Sequence, residues 1–203
     1  MVTLSKKIIE NLYNKKGLST IQIAKKLNIS TWVVLGFMRR NNIKRRTFLE
    51  ANKINFNRKP LTYLIKKNLT EKEENLKLAG VFIYWAEGAK LNGKNSCTVD
   101  FANSNPEMIR IFVKFLRKIC RVDERRLRVY LYCYSNQDIE NINNFWYNLT
   151  NIPKSQFTKP YIRNDFLPEK LGKMKYGLVH IRYADKKLLT QIDSWVKEYC
   201  KIL

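Results

Sequence analysis

The sequence predicts an α+β protein: an all-helical unit at the N-terminus, then a mixed α/β domain whose sheet keeps one basic face open. Three observations predict it. Residues 17–46 carry two short amphipathic helical periods, separated by a polar turn and ending in a basic cluster. From Thr70 onward, apolar spacings of helical period alternate with spacings of two, the pattern of helices laid on a sheet. Residues 126–134, RLRVYLYCY, alternate strictly, which puts Leu127, Val129, Leu131 and Cys133 on one face and Arg126, Arg128, Tyr130, Tyr132 and Tyr134 on the other. A chain of 203 residues suits one or two domains. The expected division is a helical unit over 1–46, a basic linker over 47–70 and the α+β domain over 71–203.

In the first unit, residues 1–17 read as an opening amphipathic helix. Ser19 caps the next helix, which turns Ile23, Ala24 and Leu27 inward, the small Ala24 permitting close approach of another helix. Asn28, Ile29 and Ser30 make a turn, and Ser30 caps a further helix whose Val34, Phe37 and Met38 face the core. Thr31, Trp32, Leu35, Gly36, Arg39 and Arg40 are left on its outer side. This arrangement resembles the helix-turn-helix of resolvases and sigma factors, which implies that the second helix enters the major groove of double-stranded DNA by its N-terminal residues. A plain helical hairpin is the competing reading. Arg45 and Arg46, with Arg58 and Lys59, are placed to follow a phosphate backbone. Residues 47–70 are basic, Asn-rich and interrupted by Pro60, without a sustained apolar period, hence a linker, part of which can be helical.

In the second unit, Thr70 to Glu73 is a capping box opening a helix to Glu87, with Gly88 as its stop. A strand over 96–102 turns Cys97, Val99 and Phe101 to one face and Thr98 and Asp100 to the other. Asn105-Pro106 opens a helix with the apolar stripe Met108, Ile109, Phe112, Phe115, Leu116 and Ile119. After the strand over 126–134, a helix over 136–149 carries Ile139, Ile142, Phe145, Trp146 and Leu149. Strands follow over 155–163 and 175–183. A last helix from Lys186 buries Leu188, Leu189, Ile192, Trp195, Val196 and Tyr199. Helices covering one face of the sheet leave Thr98, Asp100, Arg126, Arg128, Tyr130, Tyr132, His180 and Arg182 together on the other. A basic, aromatic surface of that kind suits nucleic acid, although Arg/Tyr cross-strand pairs also stabilise ordinary exposed sheets.

Charge points the same way. Lys and Arg number 39 against 17 Asp and Glu, a formal net charge of +22, and before Thr70 the only acids are Glu10 and Glu50. A polyanion is the expected partner. A membrane is not, because no apolar run approaches ~18 residues and no signal pattern opens the chain, so the expected setting is cytoplasmic and nucleoid-associated. The spacing of Cys97, Cys120, Cys133 and Cys200 does not suit zinc, and they are expected as small buried hydrophobes in a reducing compartment. No Gly-rich phosphate loop and no Ser/His/Asp set is present. His180 can contact phosphate, but no orienting partner for it is visible in the sequence. Asp100 reads either as a second metal ligand or as an ion-pair partner of the arginines.

Leu78 to Lys90, LAGVFIYWAEGAK, is a helix with small residues that closes in an acid followed by Gly. It resembles the signature helix of LAGLIDADG homing endonucleases, and the order of elements over residues 72–203 resembles that family's domain. Glu87 matches the family's metal-binding acid, Gly88 the Gly after it and Ala86 the small residue before it. The family's central Gly falls at Phe82, while Leu76, Gly80, Ile83 and Glu87 form a single helical stripe with a small residue midway. One motif per chain implies a homodimer with paired Glu87 carboxylates over the DNA, holding Mg²⁺ to activate water and neutralise the leaving oxygen. The resemblance also covers non-cleaving regulators, for which no cofactor is implied. The expected function is site-specific double-stranded DNA binding. A Mg²⁺-dependent endonuclease using Glu87 is the alternative, and an RNA binder stacking bases on Tyr130 and Tyr132 the third reading.

Overall fold

Hydroxyl caps set the N-terminal helices in place. In the computed structural model, which describes residues 4–91, 97–164 and 174–202, Ser5 caps helix α1 (Lys6–Glu10), which runs on as a π-helical turn over Asn11–Lys15. Gly17, at φ +59°, takes the left-handed conformation that a side chain resists and turns the chain toward α2 (Thr20–Leu27). Ser19 and Gln22 form a reciprocal capping box at its start. Asn28, also left-handed, ends α2, and Ser30 caps α3 (Thr31–Arg40) through the Val33 N–H. A second left-handed Asn, Asn42, lets the Ile43 N–H bond the Met38 carbonyl and folds Ile43 into the core. That core is Ile9, Leu12, Tyr13, Ile23, Ala24, Val34, Met38 and Ile43. Of the inward set expected on α3, Val34 and Met38 are buried and Phe37 is half-buried.

The chain divides into units 1–60 and 61–203, so the expected linker 47–70 is split between them. Thr47 and Glu50 form a capping box that opens α4 (Phe48–Arg58), a helix with no buried residue. The Thr47 N–H holds the Glu50 carboxyl below the usual range. Arg58 donates to the Lys16 carbonyl, which ties α4 to the first unit. Residues 61–69 belong to the second unit instead. Lys66 bonds the Ile119 carbonyl through its backbone, Tyr63 pairs with Val122, and Thr62 donates to Asp185 at 2.5 Å.

Lys66 also bonds the side chain of Glu73 and holds its carboxyl down at about 2. Glu73 completes the cap of α5 (Glu71–Glu87), where Glu71, Glu73 and Glu74 in the first turn meet the positive end of the helix dipole. Gly88 ends α5, but in an extended conformation rather than the left-handed one. It is needed because a Cβ there would lie 2.5 Å from the Tyr84 ring. Gly88 pairs with Phe101, and the Ala89 N–H bonds the Asp100 carbonyl, so the end of α5 is stitched to strand β1 (Val99–Asn103). Burial pushes the Tyr84 hydroxyl well above its ordinary range, and it donates to the Ala89 carbonyl.

Helix α6 (Pro106–Lys118) follows, with Asn105 accepting from the Glu107 and Met108 N–H groups. Then come β2 (Leu127–Tyr134), α7 (Ile139–Thr150), β3 (Tyr161–Arg163), β4 (Leu178–Tyr183) and α8 (Lys186–Ile202). The sheet order is β1-β4-β2-β3, with β4 antiparallel to both neighbours and β3 parallel to β2. The architecture is mixed α+β, as expected. Val99, Phe101, Leu127, Val129, Leu131, Cys133, Val179, Ile181 and Tyr183 meet α5, α6, α7 and α8 in one core.

Local expectations fail in identifiable places. The strand expected over 155–163 keeps only its last three residues, because 154–156 turn as a 3-10 helix. Cys97 precedes β1 and is exposed, as is Cys200, whereas Cys120 and Cys133 are buried. Tyr134 is buried despite its outward parity. No helix among the described residues is long and apolar enough to cross a membrane.

Candidate nucleic-acid interface

Helix α3 presents its predicted outer face. Trp32 is 83% exposed, Arg39 and Arg40 are exposed, and Thr31 and Leu35 are half-buried. Trp32, Leu35, Gly36, Arg39 and Arg45 line a groove floored by Met38 and Ile43. The guanidinium groups of Arg39, Arg40 and Arg45 make no ion pair or hydrogen bond among the described residues. With Glu10 and Glu50 the only carboxylates in residues 1–60, these charges remain available to an external anion. Arg46 is different. Its Nη1 donates to the Gly17 carbonyl at 3.0 Å, its Nη2 to that of Leu18, and its guanidinium lies 4.0 Å from the Tyr13 ring centroid. Expected as a phosphate contact, Arg46 is a brace between the start of α2 and the chain leaving α3.

The outer face of the sheet brings together most of its expected set. Strand pairing sets Asp100 opposite Arg182 and Arg182 opposite Arg128, then Ala102 opposite His180 and His180 opposite Tyr130. The Arg182 guanidinium stacks 4.6 Å from the centre of the Tyr130 ring. Tyr132 lies between His180 and Tyr161, at centroid separations of 4.9 and 5.3 Å. Tyr161 was not among the expected contacts. Its place beside Tyr132 follows from the parallel pairing of β3 with β2, which no local pattern encodes. Arg126 and Arg128 are partly engaged by backbone: Arg126 donates to the Ala184 carbonyl, and Arg128 to those of Arg125 and Leu127, each at 2.7 Å. Arg126 also precedes β2, in a 3-10 turn, so it stands at the rim of the face.

The two expected metal ligands have different surroundings. Glu87 is exposed at the C-terminal end of α5 and makes no ion pair or hydrogen bond among the described residues; the pair with Lys90 that would relieve it at the negative helix end is not formed. Asp100 has one oxygen 2.9 Å from His180 Nδ1 and the other 3.0 Å from Arg182 Nε. A carboxylate already shared by two basic groups does not fit a Mg²⁺ ligand, which leaves Glu87 as the free carboxylate of the pair. Among the described residues, no three His, Cys, Asp or Glu side chains converge as a metal-holding group.

Of the stripe Leu76, Gly80, Ile83 and Glu87, the first three pack within the chain and only Glu87 is exposed. Leu76 and Ile83 pack on the core, and a Cβ at Gly80 would lie 2.3–2.6 Å from atoms of Phe115 on α6. The opposite side of α5 is the exposed one, with Leu78 at 41% and Trp85 at 47%. Comparison with protein-family models, with curated proteins and with solved structures finds no match to this chain.

Proposed function

We propose that this chain is a site-specific double-stranded DNA-binding protein, in which α2 and α3 act as a helix-turn-helix and the basic sheet face of the second unit is a further contact surface. The observation that carries it is the outer face of α3. An exposed Trp and three arginines without an ion pair among the described residues stand on and beside a short, doubly capped helix, in a unit almost without acids. A helix of this size fits the major groove, where Arg reads guanine edges by paired hydrogen bonds and apolar groups meet the thymine methyl. Double-stranded DNA is preferred to RNA because the groove of an RNA duplex is too narrow for such a helix.

The test is selection of a target from a random duplex pool, then anisotropy with Arg39→Ala and Trp32→Ala. Arg39→Ala is expected to cost ~1–3 kcal/mol of discrimination between target and random duplex, with an unchanged circular dichroism spectrum. Discrimination that survives Arg39→Ala would remove α3 as the reading helix. Tighter binding of an RNA hairpin than of any duplex DNA would favour the stacking face instead.

A Mg²⁺-dependent endonuclease is the second reading, favoured by Glu87, which is exposed and makes no ion pair among the described residues. Glu87→Gln is then expected to abolish Mg²⁺-dependent nicking of the target while leaving affinity equal or slightly higher, since one negative charge near phosphate is removed. Nicking that persists in Glu87→Gln would exclude Glu87 from the chemistry. Phe115 covers Gly80, so a homodimer that pairs its two α5 helices would meet through another side of α5, where Leu78 and Trp85 are exposed.

A further inference from the structure

The chain contains a single histidine, and the fold places it at the centre of the open sheet face. Its Nδ1 lies 2.9 Å from Asp100 Oδ1, and the same carboxylate meets Arg182 Nε at 3.0 Å. A carboxylate so placed keeps a proton on Nδ1 and turns Nε2 away from itself. Nε2 makes no hydrogen bond among the described residues, nor do the terminal Nη groups of Arg182. The flanks of the imidazole are fixed, with Tyr132 against its ring and, in register on either side, Tyr130 of β2 and the small Ala102 of β1. His180 is thus oriented like a ligand-binding imidazole, with its acceptor or donor edge unused.

We propose that His180 Nε2 and Arg182 Nη form a subsite for a nucleic-acid phosphodiester, that Asp100 is its positioning residue, and that filling it takes up a proton. The proposal deepens the reading of this face as a nucleic-acid contact and rests on it. A neutral imidazole with its proton on Nδ1 presents a lone pair at Nε2, which repels a phosphate oxygen. The imidazolium presents an N–H and makes a charge-assisted bond of the stronger kind. The charged groups on the face around His180 are Asp100 from β1, Arg182 from its own strand β4 and Arg128 from β2. Tyr130 and Tyr132 of β2 and Tyr161 of β3 complete the surroundings. A bound phosphodiester adds one negative charge at the open edge, so the protonated form and the loaded form favour each other. Imidazole is the side chain whose charge changes between about pH 5 and 8, and the arginines do not change theirs, so a proton taken up by this face belongs to His180.

The experiment uses the full chain and a fluorescent duplex of about 20 base pairs, titrated at fixed ionic strength from pH 5.5 to 8. Wild-type affinity is expected to fall about tenfold across that span. His180→Gln is expected to be flat at the weaker, high-pH affinity, and His180→Arg flat at the tighter one. Asp100→Asn is expected to keep the fold but shift the wild-type pH midpoint downward, since the charge that favours the imidazolium is gone. A merely structural Asp100 would leave that midpoint in place and overturn its positioning role. A wild-type curve that is flat, or a His180→Gln curve that keeps the wild-type slope, would overturn the subsite. Free inorganic phosphate that shows the proton linkage while duplex binding does not would assign the site to the free ion and overturn the nucleic-acid source. A protein that binds no duplex at any pH instead overturns the DNA-binding reading itself.

Discussion

Raising salt from 50 to 200 mM is expected to weaken duplex binding by ~10³–10⁵, the loss that follows from neutralising ~6–10 phosphates. The net charge of +22 makes such a footprint available, but the structure narrows which cations supply it. Arg46 and Arg58 spend donors on the carbonyls of Gly17, Leu18 and Lys16, so truncating them should lower stability more than the salt slope. Among the described residues, Arg39, Arg40 and Arg45 carry no internal partner, and on the sheet Arg182 and Arg128 keep part of their donor sets free. Each lysine or arginine contact removed from the phosphate set should reduce the slope of log affinity against log salt by about one. Arg40→Ala is therefore expected to flatten the slope and weaken target and random duplexes alike, whereas Arg39→Ala should separate the two. Anisotropy titrations over five salt concentrations measure both quantities. An affinity indifferent to salt would remove nucleic acid as the partner altogether.

The parts of the fold legible in the sequence are those fixed by neighbours within a few residues. Ser19, Ser30, Thr70 and Asn105 announce helix starts because a cap acts over three positions. The alternation of 126–134 announces β2 because parity alone sorts its faces. By the same logic Thr47-Phe48-Leu49-Glu50 marks the start of α4 within an Asn-rich stretch; composition measures average polarity, whereas the cap is a specific pair of hydrogen bonds. What the sequence does not carry is pairing at long range. The Asp100–His180 contact joins residues 80 positions apart, and it exists only because β1 and β4 are neighbours in the sheet. The candidate site was therefore legible as a list of outward residues on several strands but not as an arrangement. Of the two readings of Asp100, metal ligand and ion-pair partner of the arginines, the strand order favours the second and adds His180 as a partner. Tyr134 shows the converse limit: its parity points outward, yet β3, whose Arg163 guanidinium stands 5.9 Å from its ring centroid, covers it.

Gly80→Val is expected to destabilise the second unit by about 3 kcal/mol or more, lowering its melting temperature by roughly 10 °C or preventing its folding. In a helix interior, replacing Gly ordinarily relieves backbone entropy and gains ~0.5–1 kcal/mol when the new residue is Ala. Gly80 cannot gain it, because a Cβ there would stand 2.3 Å from Phe115 Cγ and 2.6 Å from Phe115 Cβ. Phe115 is fully buried, edge-on to Trp195 of α8 and tilted against Phe112, so it has no free direction in which to yield. α5 and α6 would have to separate, and with them the stitched end of α5 that holds Gly88 against Phe101. Phe115→Ala in the Gly80→Val background removes the ring but keeps the Cβ at 2.6 Å, so partial recovery is expected and full recovery is not. Gly36→Ala in α3 is the contrasting case, since its nearest neighbour would be an Arg40 nitrogen at an ordinary 3.6 Å, and it should stabilise the first unit slightly. Thermal melts followed by circular dichroism decide the matter. A Gly80→Val protein that melts like wild type would mean that α5 does not lie against Phe115, and would reopen the stripe of Leu76, Gly80 and Ile83 as a surface for a second copy.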